Sequence, residues 1–246
     1  MIKGIYSSGS GMGPRLMGLD VIANNIANAD TTGFKKNNIF VQILKDAGVA
    51  QSVGKGELAG LDVKEFTDFT EGSHRPTNNP LDLAILGEGF FVLDTPQGMR
   101  YTRNGNFKLA EDGSLVNSNG QHVMGTGGRI SFPNAEKTQQ TDLMITGKGE
   151  MYMGKDLVGK LRIVTFSEMQ QLQKEAGSMF KTDQQPQDIQ SNDRSTIRQG
   201  YLEESNVESL TEMVQLVEFT RNFETDQRTM RYQDATLEKA LEVGKV

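Results

Sequence analysis

The sequence offers few side chains that could carry out chemistry. It contains no cysteine and two histidines, His74 and His122. The lack of cysteine excludes disulfides, thiolate zinc sites and cysteine nucleophiles, and neither histidine has another one at the spacing of a metal-binding pair. A Ser-His-Asp triad would have to come from separate segments, and no GxSxG motif marks a nucleophilic serine. We therefore predict no catalytic residue and no metal site.

Two glycine-rich segments resemble phosphate-binding loops in composition but not in spacing. Residues 9–13 read GSGMG, and residues 125–128 read GTGG. Neither has the GxGxxG or GK[ST] spacing that cradles a phosphate, so the first indicates a flexible chain end and the second a turn. Paired carboxylates could serve a glycosidase, but no Asp or Glu stands in a distinctive apolar setting. We predict no bound cofactor.

The charge and hydropathy of the chain limit its partners. The net charge is −6, and residues 201–246 hold ten acidic and five basic residues. An acidic chain without a basic stripe argues against a nucleic-acid partner. No apolar run reaches the length of about 18 residues that a membrane-spanning helix needs. The first 30 residues also lack the apolar core of a cleaved secretory signal.

Apolar residues recur every seven positions in residues 207–243. This spacing returns side chains to one face, so we predict a long helix with a seam for another helix. The intervening seam positions, Thr220, Gln227 and Asp234, are polar and can fix the register of pairing. A helix with apolar residues on more than one side is normally surrounded by partners. The predicted interface residues are Leu210, Met213, Leu216, Val217, Phe223, Met230 and Leu237.

The same spacing occurs near the N terminus. Apolar positions step by four and three residues, which predicts a helix from about Pro14 to Ala29, stopped by Gly33. Pro14 and the glycines before it are expected to weaken any helix upstream. Three asparagines near the end of this helix have two interpretations: a solvated and capping surface, or hydrogen bonds between subunits that fix register. The predicted interface residues are Leu16, Leu19, Ile22, Asn24, Asn25, Ile26 and Asn28.

Short alternating segments separated by glycine turns predict an antiparallel β domain between the helices. Asn104-Gly105 predicts a type I′ hairpin, because both residues tolerate positive φ, and Asn119-Gly120 predicts a similar turn. The predicted fold class is α+β, with the two long helices packing as a coiled-coil-like assembly domain. The predicted division is an N-terminal assembly helix (1–33), an extended connector (34–80), a central β domain with a return loop (81–198) and a C-terminal assembly helix (199–246).

Six short blocks spread over nearly the whole chain: residues 19–28 (LDVIANNIAN), 31–35 (TTGFK), 87–91 (GEGFF), 101–107 (YTRNGNF), 112–116 (DGSLV) and 200–207 (GYLEESNV). Together they resemble the axial proteins of the bacterial flagellum, the family of rod and hook subunits. The blocks follow one another in family order, which makes the match specific. The length of the chain resembles rod subunits rather than the longer hook protein. Its short segment after the first helix favours a proximal over a distal rod subunit.

The resemblance implies a structural subunit of the basal-body rod with no enzyme activity. It implies export through the flagellar type III apparatus without signal cleavage, followed by helical assembly beneath a rod cap. The terminal helices would form the wall of the export channel, in the periplasmic part of the axis, and the partners would be copies of this chain and neighbouring rod proteins. Two other functions stay open: a periplasmic peptidoglycan-binding or hydrolysing module built on the β domain, and a cytosolic coiled-coil adaptor.

Overall fold

The computed structural model describes residues 2–43, 61–132, 143–175, 178–189 and 195–243. The chain forms two compact units. We call the first the helical unit (Met1–Ala27, Lys36–Asp68 and Glu208–Val246) and the second the β unit (Asn28–Lys35 and Phe69–Val207). Two helices combined with antiparallel sheets confirm the predicted α+β class. The division into four segments stays a prediction.

The helical unit contains two helices and a hairpin. Helix α1 spans Ile2–Ala27 and α2 spans Ser209–Val243, close to the limits predicted for the C-terminal helix. Strands β1 (Asn37–Ile43) and β2 (Leu61–Thr67) pair antiparallel. Segment 34–80 thus contributes strands to both units, because β3 within it belongs to the β unit. No helix in the described ranges is long and apolar enough to cross a membrane.

Helix α1 begins well before its predicted start at Pro14. Proline removes one backbone donor and weakens the local turn, but it does not stop a helix that is held by a partner. Arg15, the next residue, provides such a hold: its guanidinium donates to the Asn222 carbonyl at 2.9 Å and lies 2.5 Å from the Asp226 carboxylate. The sequence predicted a secure helix from about Pro14 and left a helical segment before it open, and the structure includes that segment in α1.

The two helices of the helical unit run antiparallel. As residue numbers fall along α1, those of their contacts rise along α2. The contacting pairs are Asn25 with Glu212, Gly18 with Phe219, and Arg15 with Asp226. The contacts on α2 are seven residues apart, so they lie along one face of that helix.

The β unit is built from short antiparallel strands. Its largest sheet has the order β15-β16-β6-β5-β9-β8-β7, with β14 also on β5, and β11-β12-β13 form a three-stranded sheet. Two further pairs are β4 with β18 and β3 with β19. The strands are β3 His74–Pro76, β4 Leu83–Gly87, β5 Phe90–Thr95, β6 Gly98–Thr102, β7 Phe107–Leu109, β8 Leu115–Asn117, β9 His122–Gly125, β10 Gly128–Arg129, β11 Leu143–Ile145, β12 Glu150–Met153, β13 Asp156–Lys160, β14 Ile163–Thr165, β15 Gln173–Glu175, β16 Met179–Lys181, β17 Gln187–Asp188, β18 Ser195–Gln199 and β19 Tyr201–Glu203.

Strand β5 lies at the centre of the β unit and is buried on both faces. Phe91 and Leu93 belong to the main hydrophobic cluster, while Phe90 and Val92 belong to a second cluster. Successive strand residues point to opposite faces, so one apolar run supplies both clusters. The β unit therefore closes its core with its own residues.

The Asn104-Gly105 turn differs from its prediction. Strand β6 pairs with β5 and β16, and β7 pairs with β8, so this turn joins no hairpin. Neither residue has the positive φ of a type I′ turn. A residue distant in sequence holds the turn instead, because the Gly105 carbonyl accepts a hydrogen bond from the Leu83 N–H at 3.0 Å. The Asn119-Gly120 turn does join paired strands, β8 and β9, and Gly120 has a φ of +79°.

Candidate assembly interface

The face of α2 that packs against α1, its inner face, contains the predicted residues seven positions apart. The second set of seam positions between them, the companion line, differs from the predicted one. Leu216, Phe223 and Met230 are half-buried, as are Phe219 and the other residues three positions after them. Of the predicted companions, Thr220 and Asp234 are exposed and Gln227 is half-buried, so the companion line on the face toward α1 differs from the predicted one. The physical reason is Phe219, whose ring supplies the large apolar contact to α1. The inner positions are Glu212, Leu216, Phe219, Phe223, Asp226, Met230 and Gln233, and the side chain of Leu237 lies outside the described part of the structure.

Gly18 of α1 packs tightly against Phe219 of α2. A Cβ at this position would overlap the Phe219 ring and would also crowd the Ile39 side chain of β1. Gly18 is itself buried. The inner face of α1 therefore carries Gly18, Val21, Ile22 and Asn25, of which Ile22 and Asn25 are predicted interface residues.

Asn25 is hydrogen-bonded within its own chain. Its side chain is 1% exposed, donates to the Asn37 carbonyl at 2.8 Å and to Glu212 Oε2 at 3.1 Å, and accepts from the Asn37 N–H at 3.0 Å. Lys36 Nζ lies 2.5 Å from Glu212 Oε1 and balances its charge. Ile22 is buried as well. These two predicted interface residues, Asn25 and Ile22, are thus buried within their own chain, and their role between subunits stays a prediction.

The outward face of α2 carries apolar side chains that its own chain leaves exposed. The exposed fractions are 72% for Leu210, 49% for Met213, 57% for Val214 and 51% for Val217. Their spacing of three and four residues places them along one side, and we call this row the outer α2 stripe. Contiguous exposed apolar surface of this kind marks interaction sites.

The remaining predicted interface residues on α1 differ in the exposure of their side chains. Leu16 is 46% exposed, and Asn24 is exposed as well. Leu19, Ile26 and Asn28 are half-buried. The structure thus leaves Leu16 and Asn24 accessible, while it partly covers the other three.

A buried ionic cluster lies in the β unit. Lys35 Nζ lies 2.5 Å from Glu203 Oε1, and both side chains are fully buried. An Arg103 guanidinium nitrogen lies 3.4 Å from Glu203 Oε2, and the other donates to the Gly87 carbonyl at 2.8 Å. Burial lowers the pKa of Lys35 and of Arg103, and the Glu203 charge opposes that shift in both. We call Lys35, Arg103 and Glu203 the ionic cluster.

Sequence reasoning did not identify the ionic cluster. Each residue stands in a different block of the family resemblance, Lys35 in 31–35, Arg103 in 101–107 and Glu203 in 200–207. The available signal was a single basic residue in blocks 31–35 and 101–107 and two adjacent glutamates in block 200–207. Only the fold shows that these charges meet.

Comparison with known proteins identifies the family. Residues 5–35 match the model "Flagella basal body rod protein", residues 84–153 match "Flagellar hook protein FlgE/F/G D1 domain", and residues 198–243 match "Flagellar basal body rod FlgEFG protein C-terminal". The chain is 30% identical to the flagellar basal-body rod protein FlgG of Bacillus subtilis over the full length of both chains. The chain belongs to the flagellar basal-body rod protein family.

This rod protein has relatives under two names. Besides FlgG it matches the flagellar basal-body rod protein FlgF of Mesorhizobium japonicum, with 30% identity over 91% of this chain and 90% of the relative. It also matches FlgF of Caulobacter vibrioides, with 32% identity over 86% and 85%. The family makes it a structural subunit of the flagellar basal body and not an enzyme, which confirms both predictions. Each residue of the ionic cluster falls in a different matched region.

Proposed function

We propose that this rod protein assembles helically through its terminal helices, with the outer α2 stripe as the main contact between subunits. The observation that carries the proposal is the exposure of Leu210, Met213, Val214 and Val217 on one side of α2. Burial of such side chains is the main driving force of protein association. The neighbours would be copies of this chain and other rod proteins.

In this proposal the two faces of α2 pack against different partners. The inner seam, with Leu216, Phe223 and Met230, packs against α1 in a coiled-coil-like manner within one subunit. The outer stripe packs against a neighbouring subunit, and Leu16 and Asn24 extend the contact on α1. Leu19, Ile26 and Asn28 complete it at the edge of the packed faces.

The proposed location is the periplasmic part of the flagellar axis. The chain would reach it through the flagellar export apparatus without cleavage of a signal peptide, and a rod cap would guide its addition. We propose a proximal position in the rod. Images of basal bodies from a strain lacking this chain test the position: a proximal subunit predicts an axis that stops near the base of the rod, and a nearly full-length rod would contradict it.

Single cysteines test the division between the two faces. Because the native chain has no cysteine, Leu210→Cys and Phe223→Cys each place one thiol for a thiol-specific photo-crosslinker. In isolated basal bodies, Leu210→Cys should give adducts with a second copy or another rod protein. Phe223→Cys, on the inner seam, should give mainly crosslinks within its own chain. Equal intersubunit yields at the two positions would contradict the proposal.

A further inference from the structure

The division of the chain into two units requires four crossings between them, at 27/28, 35/36, 68/69 and 207/208. We propose that the ionic cluster, together with Gly33, Thr70 and Asn206, forms a clamp that fastens the β-unit ends of all four crossings to one another. We call these six residues the crossing clamp. The inference goes beyond assembly and does not depend on it.

Lys35 connects three of the crossings directly. It precedes the 35/36 crossing, and its ammonium donates to the Thr70 carbonyl at 2.6 Å, just after the 68/69 crossing. The same ammonium donates to Glu203 at 2.5 Å, four residues before the 207/208 crossing. A second link closes the set, because the Asn206 amide donates to Thr70 Oγ1 at 3.0 Å.

The segment after the 27/28 crossing is fastened through Gly33. Its N–H donates to the Glu203 carbonyl at 2.8 Å. Gly33 has a φ of +66°, and a Cβ there would overlap the backbone of Arg103 and Asn104. Glycine is the residue that accepts both the left-handed backbone and the close approach. Glu203 is thus bonded to segment 28–35 through both its backbone and its side chain.

The charges of the clamp predict that its contacts weaken together when Glu203 is neutralised. Glu203 is the shared partner of two buried cations, and its Oε1 also accepts from the Gly72 N–H at 3.3 Å. Removing one member of a buried ion pair leaves an uncompensated charge, which costs far more than a lost contact between neutral groups. Neutralising this one carboxylate therefore loosens the Lys35, Gly72 and Arg103 contacts together.

Hydrogen exchange of the full chain, at a concentration too low for assembly, tests the clamp. Glu203→Gln should accelerate amide exchange by at least about tenfold in residues 31–35, 69–72 and 203–206 together. Residues 91–93 of β5 should keep their protection. Glu204→Gln is the matched control, since the adjacent carboxylate binds Ser73 and Arg75 on the surface. It should leave residues 31–35 unchanged.

Two results would overturn the clamp. One is acceleration confined to the strand that contains residue 203, and the other is equal acceleration of residues 91–93. If Glu203→Gln does not fold, Lys35→Met decides, because it leaves Glu203 paired with Arg103. Faster exchange in residues 69–72 of that variant supports the clamp, and unchanged exchange there overturns it.

Discussion

The two units of this rod protein treat apolar surface differently. In the β unit, Phe91 and Leu93 are fully buried, whereas Leu210 and Val217 of the helical unit are 72% and 51% exposed. The β unit closes its core with residues of its own chain, although Met144 on β11 and Leu157 on β13 are exposed as well. The helical unit carries apolar surface that a single chain leaves in water. The difference indicates which part of the subunit is built for its own stability and which part is built for neighbours.

The two units also differ in the ionic partners of their buried glutamates. In the helical unit, Glu212 is balanced by Lys36 and accepts from Asn25. In the β unit, Glu203 is shared between Lys35 and Arg103. Removal of the Glu203 charge would therefore leave two cations uncompensated, whereas removal of the Glu212 charge would leave one.

The largest expected effect is a change in the free energy of unfolding, which should be large in the core of the β unit and small in the outer α2 stripe. Phe91→Ala removes a ring that packs against Phe107 with centroids 5.1 Å apart, and we expect a loss of about 3–5 kcal/mol in the free energy of unfolding. Leu210→Ala should change that free energy by no more than about 0.5 kcal/mol. Urea unfolding followed by circular dichroism measures both. Similar losses would remove the distinction between the units.

A smaller effect is expected where the helices touch. Gly18→Ala places a methyl group against the Phe219 ring, whereas the same change at Gly13 meets no atom within 4 Å. Gly13 precedes Pro14, whose ring reduces the gain in helix propensity there, so a lower stability of Gly18→Ala reflects the overlap with Phe219. We expect Gly18→Ala to be less stable than Gly13→Ala by about 1–3 kcal/mol, measured by thermal melting of the helical signal. Equal melting would show that α1 and α2 do not pack closely at Gly18.

The smallest effect is a pH dependence in the β unit. Hydrogen bonds from the Ser114 hydroxyl at 2.6 Å and its N–H at 2.9 Å lower the pKa of Asp112 from its ordinary value of 3.8. The folded carboxylate thus stays charged where the unfolded one takes up a proton, so its contribution is complete above the ordinary pKa and is lost as pH falls below it. Asp112→Asn should show a shallower decline of Tm between about pH 5 and about pH 3. An identical decline in both proteins would contradict this.

Much of the fold could be predicted from local pattern. The seven-residue spacing located α2, and alternating segments with glycine turns indicated the antiparallel β unit. The companion line of the α2 seam could not be predicted, because it depends on Phe219 meeting Gly18 across two helices. The Asn104-Gly105 turn was misread for a related reason, since contacts from Leu83 outweigh its local preference.

The buried charges lay beyond sequence reasoning altogether. Lys35, Arg103 and Glu203 are far apart in the chain, and nothing at each position alone indicates burial. Asn25 shows the intermediate case: the sequence indicated a hydrogen-bonding role, and the structure assigns its bonds to Asn37 and Glu212 of the same chain. Pattern predicts elements well, whereas polar contacts between elements require the fold.

Incorporation into basal bodies tests the central claim most directly. Met213→Lys/Val217→Lys charges the outer α2 stripe, and Met144→Lys/Leu157→Lys is a matched control on the β unit, where those residues are 62% and 60% exposed. Each variant is expressed in a strain lacking the native chain and quantified in purified basal bodies. The account predicts that the stripe variant is absent while the control is incorporated at the native level. Native-level incorporation of the stripe variant would contradict it.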